Sequence, residues 1–179
     1  MRVRLLRDSG GIVAWLLASI LMALIALPLR AEVPQEAQQW QRVVTREVHV
    51  AHGLSGPVAL HGALIHQESS WDAKAESPVG AQGLAQIMPS TAEHIAEIVG
   101  KSSINPLNPK QAIRGMAQYT AWVKRYVEPT DAPWAMTLSG YNGGVGWVSR
   151  DRDLAAEHGA DPDKWWGEVE CYTRRSAAA

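Results

Sequence analysis

A glutamate on the apolar stripe of a helix is the residue of this chain best placed to do chemistry. Leu60, Leu64 and Glu68 lie four apart and share one helix face, with Ile65 and Trp71 close by. Burial there disfavours the charged carboxylate, so the pKa of Glu68 is expected to rise. A neutral carboxylic acid at working pH is the proton donor that a glycosidic oxygen needs. On the helix alone, the plainer reading is a carboxylate at a frayed helix end, in water. The next residues shift that balance. A turn with Pro78, Gly80 and Gly83 leads into an apolar segment, Leu84-Ala85-Gln86-Ile87-Met88-Pro89, that carries one amide. Gln86 among such neighbours needs hydrogen-bond partners. One acid set against a neutral polymer is the arrangement expected for cutting a sugar chain.

Glycosidases with paired carboxylates place a nucleophile or base opposite the acid. Asp72 and Glu76 are near in sequence, but both fall in a polar stretch beyond the helix, where solvent exposure is expected. The histidines do not form a metal set. His61 and His66 are five apart and do not share a helix face, and no carboxylate or cysteine completes a site with His49 or His52. They read as surface or supporting residues, His94 and His158 are isolated, and neither metal nor cofactor is expected.

Glu68-Ser69, then Ala75 and Ser77, then Gly80-Ala81-Gln82-Gly83-Leu84-Ala85-Gln86-Ile87-Met88-Pro89 with Thr91-Ala92, stand in this order before Ser139-Gly140-Tyr141-Asn142-Gly143-Gly144. Over about residues 55–150 these blocks resemble the transglycosylase SLT domain of soluble-type lytic transglycosylases, in the lysozyme-like superfamily. Methionine is usual where this chain has Ala85, and the third block usually reads Ala-Tyr-Asn-Ala-Gly. Ala85 is expected to leave a slightly roomier pocket wall.

The resemblance implies that Glu68 protonates the leaving oxygen and later acts as base. It implies that Ser77, Gln86 and Met88 line the sugar sites and that Tyr141 and Asn142 orient the acid or substrate. It also implies a route without a second carboxylate, in which the N-acetyl group of N-acetylmuramic acid assists departure and its C6 hydroxyl attacks, leaving a 1,6-anhydro end. Read alone, Ser77 fits a turn bonding its own backbone, Met88 fits core filling, and Asn142 fits a left-handed turn. A muramidase of the same fold using water, and a non-catalytic peptidoglycan-binding module, are the competing readings. Family members commonly close the cleft with a further block holding an acidic residue, Arg and Tyr. Glu168, Glu170 and Cys171-Tyr172-Thr173-Arg174 do not match it.

The elements that must hold these residues read as helices. Trp40, Val43, Val44 and Val48 fall at helical spacing, and Gly53 to Pro57 interrupts them. A second helix spans about Pro57 to Ser70, with proline in its first turn. A third is expected to start at Ser90 with a capping box closed by Glu93, and to stop at Gly100. Asn108-Pro109 opens a fourth, carrying Ile113, Met116, Thr120, Val123 and Val127. Asp131 is expected to cap a fifth, with Pro133 in its first turn, reaching about Tyr141. Gly143, Gly144 and Gly146 read as a loop, and a last helix is expected from about Asp163 past Trp166. No strand pair stands out. The fold expected is mainly α: a lysozyme-like single domain with a substrate cleft over residues 40–179, after a linker at 32–39.

Arg2, Arg4 and Arg7 precede an uncharged apolar run of 18 residues from Ile12 to Leu29, and Leu29 and Ala31 fit a processing site. Residues 1–31 therefore read as a signal peptide or a membrane anchor, since such a run just spans a bilayer. Either way the body is expected to be exported, to the periplasm or held at the inner membrane facing it. Wall remodelling, or work alongside secretion or lysis machinery, would suit it. The chain has 179 residues, with 17 basic against 18 acidic and a net charge of -1, and no basic stripe that would suit nucleic acid. Eight Trp, four Tyr and no Phe favour a tryptophan-rich core, though flat rings also suit sugars. Cys171 is the lone cysteine, which excludes an internal disulfide.

Overall fold

The computed structural model describes residues 33–173, which form seven α-helices and a closing 3-10 turn. The helices are α1 (Gln35–Gln38), α2 (Gln41–His52), α3 (Val58–Ser69), α4 (Pro89–Ile98), α5 (Pro109–Val127), α6 (Pro133–Gly143) and α7 (Val145–Glu157). The 3-10 turn is Val169–Tyr172. Among the described residues the only β-pairing is a pair of isolated bridges, Glu76 to Gln82 and Gln82 to Ile87.

The longest helix among the described residues, α5, is the axis of the body. Asn108 caps it, its side chain accepting from Lys110 N at 3.1 Å and Gln111 N at 3.2 Å, and Pro109 sits in the first turn. Ile113, Met116, Val123 and Val127 are buried along it, among the small residues Ala112, Gly115, Ala117 and Ala121. The small residues let neighbours come close: a Cβ on Gly115 would stand 3.2 Å from Ile95 Cγ2 of α4. Helices α2, α4, α6 and α7 all pack on α5. Glu47 of α2 is 2% exposed and takes Arg46 on one oxygen and Arg114 of α5 on the other. Its charge is thus neutralised by two guanidinium groups whose outer faces stay wet.

Several expected boundaries move. Helix α4 starts at Pro89, with Met88 in the capping position and no side-chain cap bond, so Ser90 lies inside the helix rather than before it. Proline at the first position lacks the N–H that a cap would satisfy. Asp131 does not cap α6 either: Ala132 holds that position, and the Asp131 carboxylate accepts from Trp165 N at 3.0 Å. Of the three glycines expected to form a loop, only Gly144 breaks the chain, at φ 85, and α7 starts directly after it. The helix expected from Asp163 is replaced by turns, with Gly167 at φ 76, ahead of the short Val169–Tyr172 element. Within the expected linker, α1 buries Ala37 in the core, and the compact unit starts at Pro34. The expected signal or anchor at 1–31 lies outside the described residues. Among those described, no helix is long and apolar enough to cross a membrane.

Candidate active site

Glu68 sits in the last turn of α3, half-buried. Immediately after it the chain turns through two consecutive left-handed residues, Ser70 at φ 49 and Trp71 at φ 70. Neither is glycine, so the turn stores backbone strain, and the burial of the Trp71 ring against Gly62 helps hold it. The following loop is tied to itself. Ser77 N donates to Ala81 O and Ala81 N donates to Ser77 Oγ, both at 2.9 Å, while Gly83 N reaches Ala75 O at 2.8 Å. Gln82 and Ile87 exchange backbone bonds at 3.0 and 3.1 Å.

Two side chains then fasten this loop from opposite sides. Ser69, next to the acid, donates to Leu84 O at 2.9 Å, and Tyr141 of α6 donates to Ala85 O at 2.7 Å. Gln86 completes the bend at φ 44, its amide nitrogen donating to Gly83 O at 3.1 Å and Ala75 O at 3.3 Å. Consecutive carbonyls are thus held by the helix of the acid and by the helix of Tyr141. That brackets a cleft of about 280 Å³ whose walls include Glu68, Gln86, Met88, Tyr141 and Asn142.

Five of the six residues expected at the site therefore meet in one cleft. Ser77 stands apart from its lining, with its hydroxyl engaged in the loop. Ala85 is fully buried and also outside the lining; the wall at this point is Gln86, Ile87 and Met88, so the expected roomier pocket does not arise there. Tyr119, Thr91 and Ile95 join the lining unanticipated. Tyr119 belongs to an aromatic series with Trp122 and Tyr126, spaced three and four along α5, a pattern visible in the sequence but hidden behind the apolar stripe. Glu168 and Glu170 are engaged elsewhere, accepting from Asp161 N and Gly167 N.

The electrostatics suit a proton donor. Desolvation raises the pKa of Glu68, and among the described residues no cation is ion-paired with it. Burial above all, then the charge of Glu68 and then Tyr119, push the Tyr141 phenol far up, so it remains a hydroxyl donor. Among the described residues the lining holds no second carboxylate. Asp72 is exposed and accepts from Lys74 N at 2.8 Å, and Glu76 is exposed as well. Of the histidines expected at the surface or in support, His52 is half-buried and His61 lies inside the body. His61 is 1% exposed, and both rings stand within 3.1 Å of Thr120 Oγ1.

A mainly helical domain holding one half-buried acid at the wall of an open cleft is the class these features define. The chain belongs to the transglycosylase SLT domain family, whose model matches residues 54–163. Over 110 residues it is 37% identical to the membrane-bound lytic murein transglycosylase F of Pseudomonas fluorescens, covering 59% of this chain and 21% of that protein. Over 111 residues it is 39% identical to the protein of the same name from Hahella chejuensis, covering 59% and 20%. The crystal structure of the 70-kDa soluble lytic transglycosylase from Escherichia coli superposes with a TM-score of 0.53 at 29% identity, over 62% of this chain and 18% of that one. The chain thus spans about a fifth of the length of the curated relatives it matches.

Proposed function

We propose that this chain is a peptidoglycan lytic transglycosylase that cleaves the β-1,4 bond between N-acetylmuramic acid and N-acetylglucosamine. The observation that carries the reading is the single acid: Glu68, its pKa raised by burial, in a cleft whose lining has no second carboxylate among the described residues. The relatives' name, lytic murein transglycosylase, supports it. Glu68 gives its proton to the glycosidic oxygen, and N-acetylglucosamine leaves with a free 4-hydroxyl. The N-acetyl oxygen of the muramic acid closes on C1 as that bond breaks. Glu68, now a carboxylate, takes the proton of the C6 hydroxyl while O6 displaces the acetamido oxygen from C1, and the acid is regenerated. No water is consumed.

Tyr141 keeps the loop carbonyl and the acid in register. Gln86, already donating twice, still has its amide oxygen for a sugar hydroxyl. Met88, 37% exposed, offers an apolar face to a ring, and exposed Asn142 offers an amide from the opposite wall. Ser77 contributes its hydroxyl proton at the loop, where a strand overruns the cleft. The setting is the exported face of the cell envelope, periplasmic or anchored to the inner membrane, with glycan strands as the substrate. Digestion of purified peptidoglycan and mass analysis test this. Fragments lighter by one water than hydrolysis products carry anhydro ends and support the reading. Reducing ends make the chain a muramidase, and intact peptidoglycan makes it a binding module.

A further inference from the structure

The cleft does not exhaust the aromatic surface of α5. Tyr119 lines it, Trp122 stacks on Tyr119 with ring centroids 5.8 Å apart and planes 10° apart, and Tyr126 follows at 5.6 Å and 27°. His94 of α4 meets the Trp122 ring edge-on at 4.6 Å and fixes the middle of the series. Seven residues of helix advance roughly 10 Å. Tyr126 then lines a second hollow, of about 400 Å³, together with Val148, Ser149, Arg152 and Asp153 of α7. The two hollows share two elements: α5 gives Tyr119 to the cleft and Tyr126 to the second hollow, and the α6–α7 run lines both, with Tyr141 to Gly144 at the cleft and Val148 to Asp153 beyond it.

Packing accounts for Tyr119, which is 8% exposed, but not for Tyr126, which is 50% exposed. A tyrosine half in water at the end of an ordered stack gives little to the core and presents a ring to whatever lies over it. The polar groups beside it narrow the chemistry. Arg152 already donates to Val127 O at 2.9 Å, to Pro129 O at 3.3 Å and to Asp163, so its charge is matched within the protein. Asp153 is exposed and negative, which disfavours an acidic ligand such as a carboxylate-rich stem peptide. Ser149 adds a hydroxyl. An aromatic face flanked by hydroxyl and carboxylate acceptors suits a neutral pyranose, whose apolar C–H face stacks while its hydroxyls donate outward.

We infer that Tyr126 and the hollow beneath it form an outlying sugar subsite, reached along Trp122, that binds the glycan strand beyond the cleft. The inference deepens the proposed function and rests on it. Strand length is the variable it governs: long strands touch both hollows and short ones only the cleft. The test is calorimetric titration of the full-length Glu68→Gln chain with chitobiose and chitohexaose, uncharged oligomers of N-acetylglucosamine. The hexaose is expected to bind about tenfold more tightly than the biose. Adding Tyr126→Ala is expected to bring that ratio to about one, and Tyr126→Trp to restore it.

A ratio that survives Tyr126→Ala overturns the subsite, as does a ratio of one in the Glu68→Gln parent. Binding of neither oligomer, by a chain whose unsubstituted form digests peptidoglycan, overturns the subsite and leaves the function standing. Failure to digest peptidoglycan removes the functional reading and the subsite with it. Uptake of free stem peptide, lost in Tyr126→Ala while the hexaose is indifferent to the change, would assign the hollow to peptide and overturn the sugar reading.

Discussion

The proposed role of Glu68, to give and retake a proton, calls for a pKa above the ordinary carboxylate range, and desolvation alone shifts it in that direction. Glu68→Gln is expected to lower the rate of anhydro-product release about 10²–10⁴-fold, while Asp72→Asn leaves it near the parent's; comparable losses in both would sink the single-acid mechanism. The same shift fixes the sign of a stability effect. A folded-state pKa above the unfolded one means that the folded protein holds the proton more tightly. That stabilisation is complete below the unfolded pKa and is lost as pH rises through the folded one. Glu68→Gln should therefore raise Tm at neutral pH and leave it unchanged in acid, which thermal melts at the two pH values would show. Tyr141 acts through geometry. Tyr141→Phe removes the bond to the buried Ala85 carbonyl, with an expected stability loss of about 1–3 kcal/mol in denaturant titrations.

The elements position the acid through a loop whose shape depends on backbone rather than on side-chain volume. At Gly83, φ is 72 and a Cβ would come within 2.0 Å of Pro106 O, a backbone atom that cannot swing aside. Gly83→Ala is expected to cost about 2–4 kcal/mol, from the left-handed strain and the clash together, and to blunt activity by displacing Gln86. Urea melts read the first effect and strand cleavage the second; an unchanged melt would mean that the loop is not pinned there. Much of this level was legible in the sequence. Apolar spacing gave α2, α3 and α5, Asn108-Pro109 opened α5 as expected, and the positions of Glu68, Gln86, Met88, Tyr141 and Asn142 came together. What escaped has a common physical origin. Ser90 and Asp131 resemble caps locally, but the prolines beside them start the helices, and Asp131 spends its carboxylate on the distant Trp165 amide. Gly146 resembles loop in its glycine-rich neighbourhood, yet it has open space around it and sits comfortably in α7. Ser69 and Tyr141 choose partners 15 and 56 residues away, and spacing along the chain does not encode such distances.

At the scale of the whole molecule, four helices meet at one buried hydroxyl. His52 of α2 and His61 of α3 place their Nε2 atoms 3.1 and 3.0 Å from Thr120 Oγ1 of α5, and Trp134 of α6 covers both rings. With both rings neutral, His52 Nε2–H donates to Oγ1 and His61 Nδ1–H donates to Pro57 O at 3.0 Å, while the single hydroxyl proton is shared between His61 Nε2 and Ala117 O, each 3.0 Å from Oγ1. A proton on either ring is opposed by burial, and at His52 also by His61, Lys124 and Arg125, which bring that pKa down to about 4. A depressed folded pKa contributes stability that is present above the ordinary imidazole value of 6.5 and is lost as pH falls through about 4. Glu68 works in the opposite direction, since its protonation on acidification favours the fold. The parent's Tm should therefore decline less between neutral pH and about 4 than His52 and His61 alone would dictate, because Glu68 works against them. Glu68→Gln removes the compensation and should steepen the decline, whereas His52→Gln should flatten or invert it. The slope of Tm against pH is the quantity to read, since replacing a half-buried, hydrogen-bonded histidine lowers Tm everywhere. A His52→Gln profile as steep as the parent's would place the acid sensitivity of the body outside this junction.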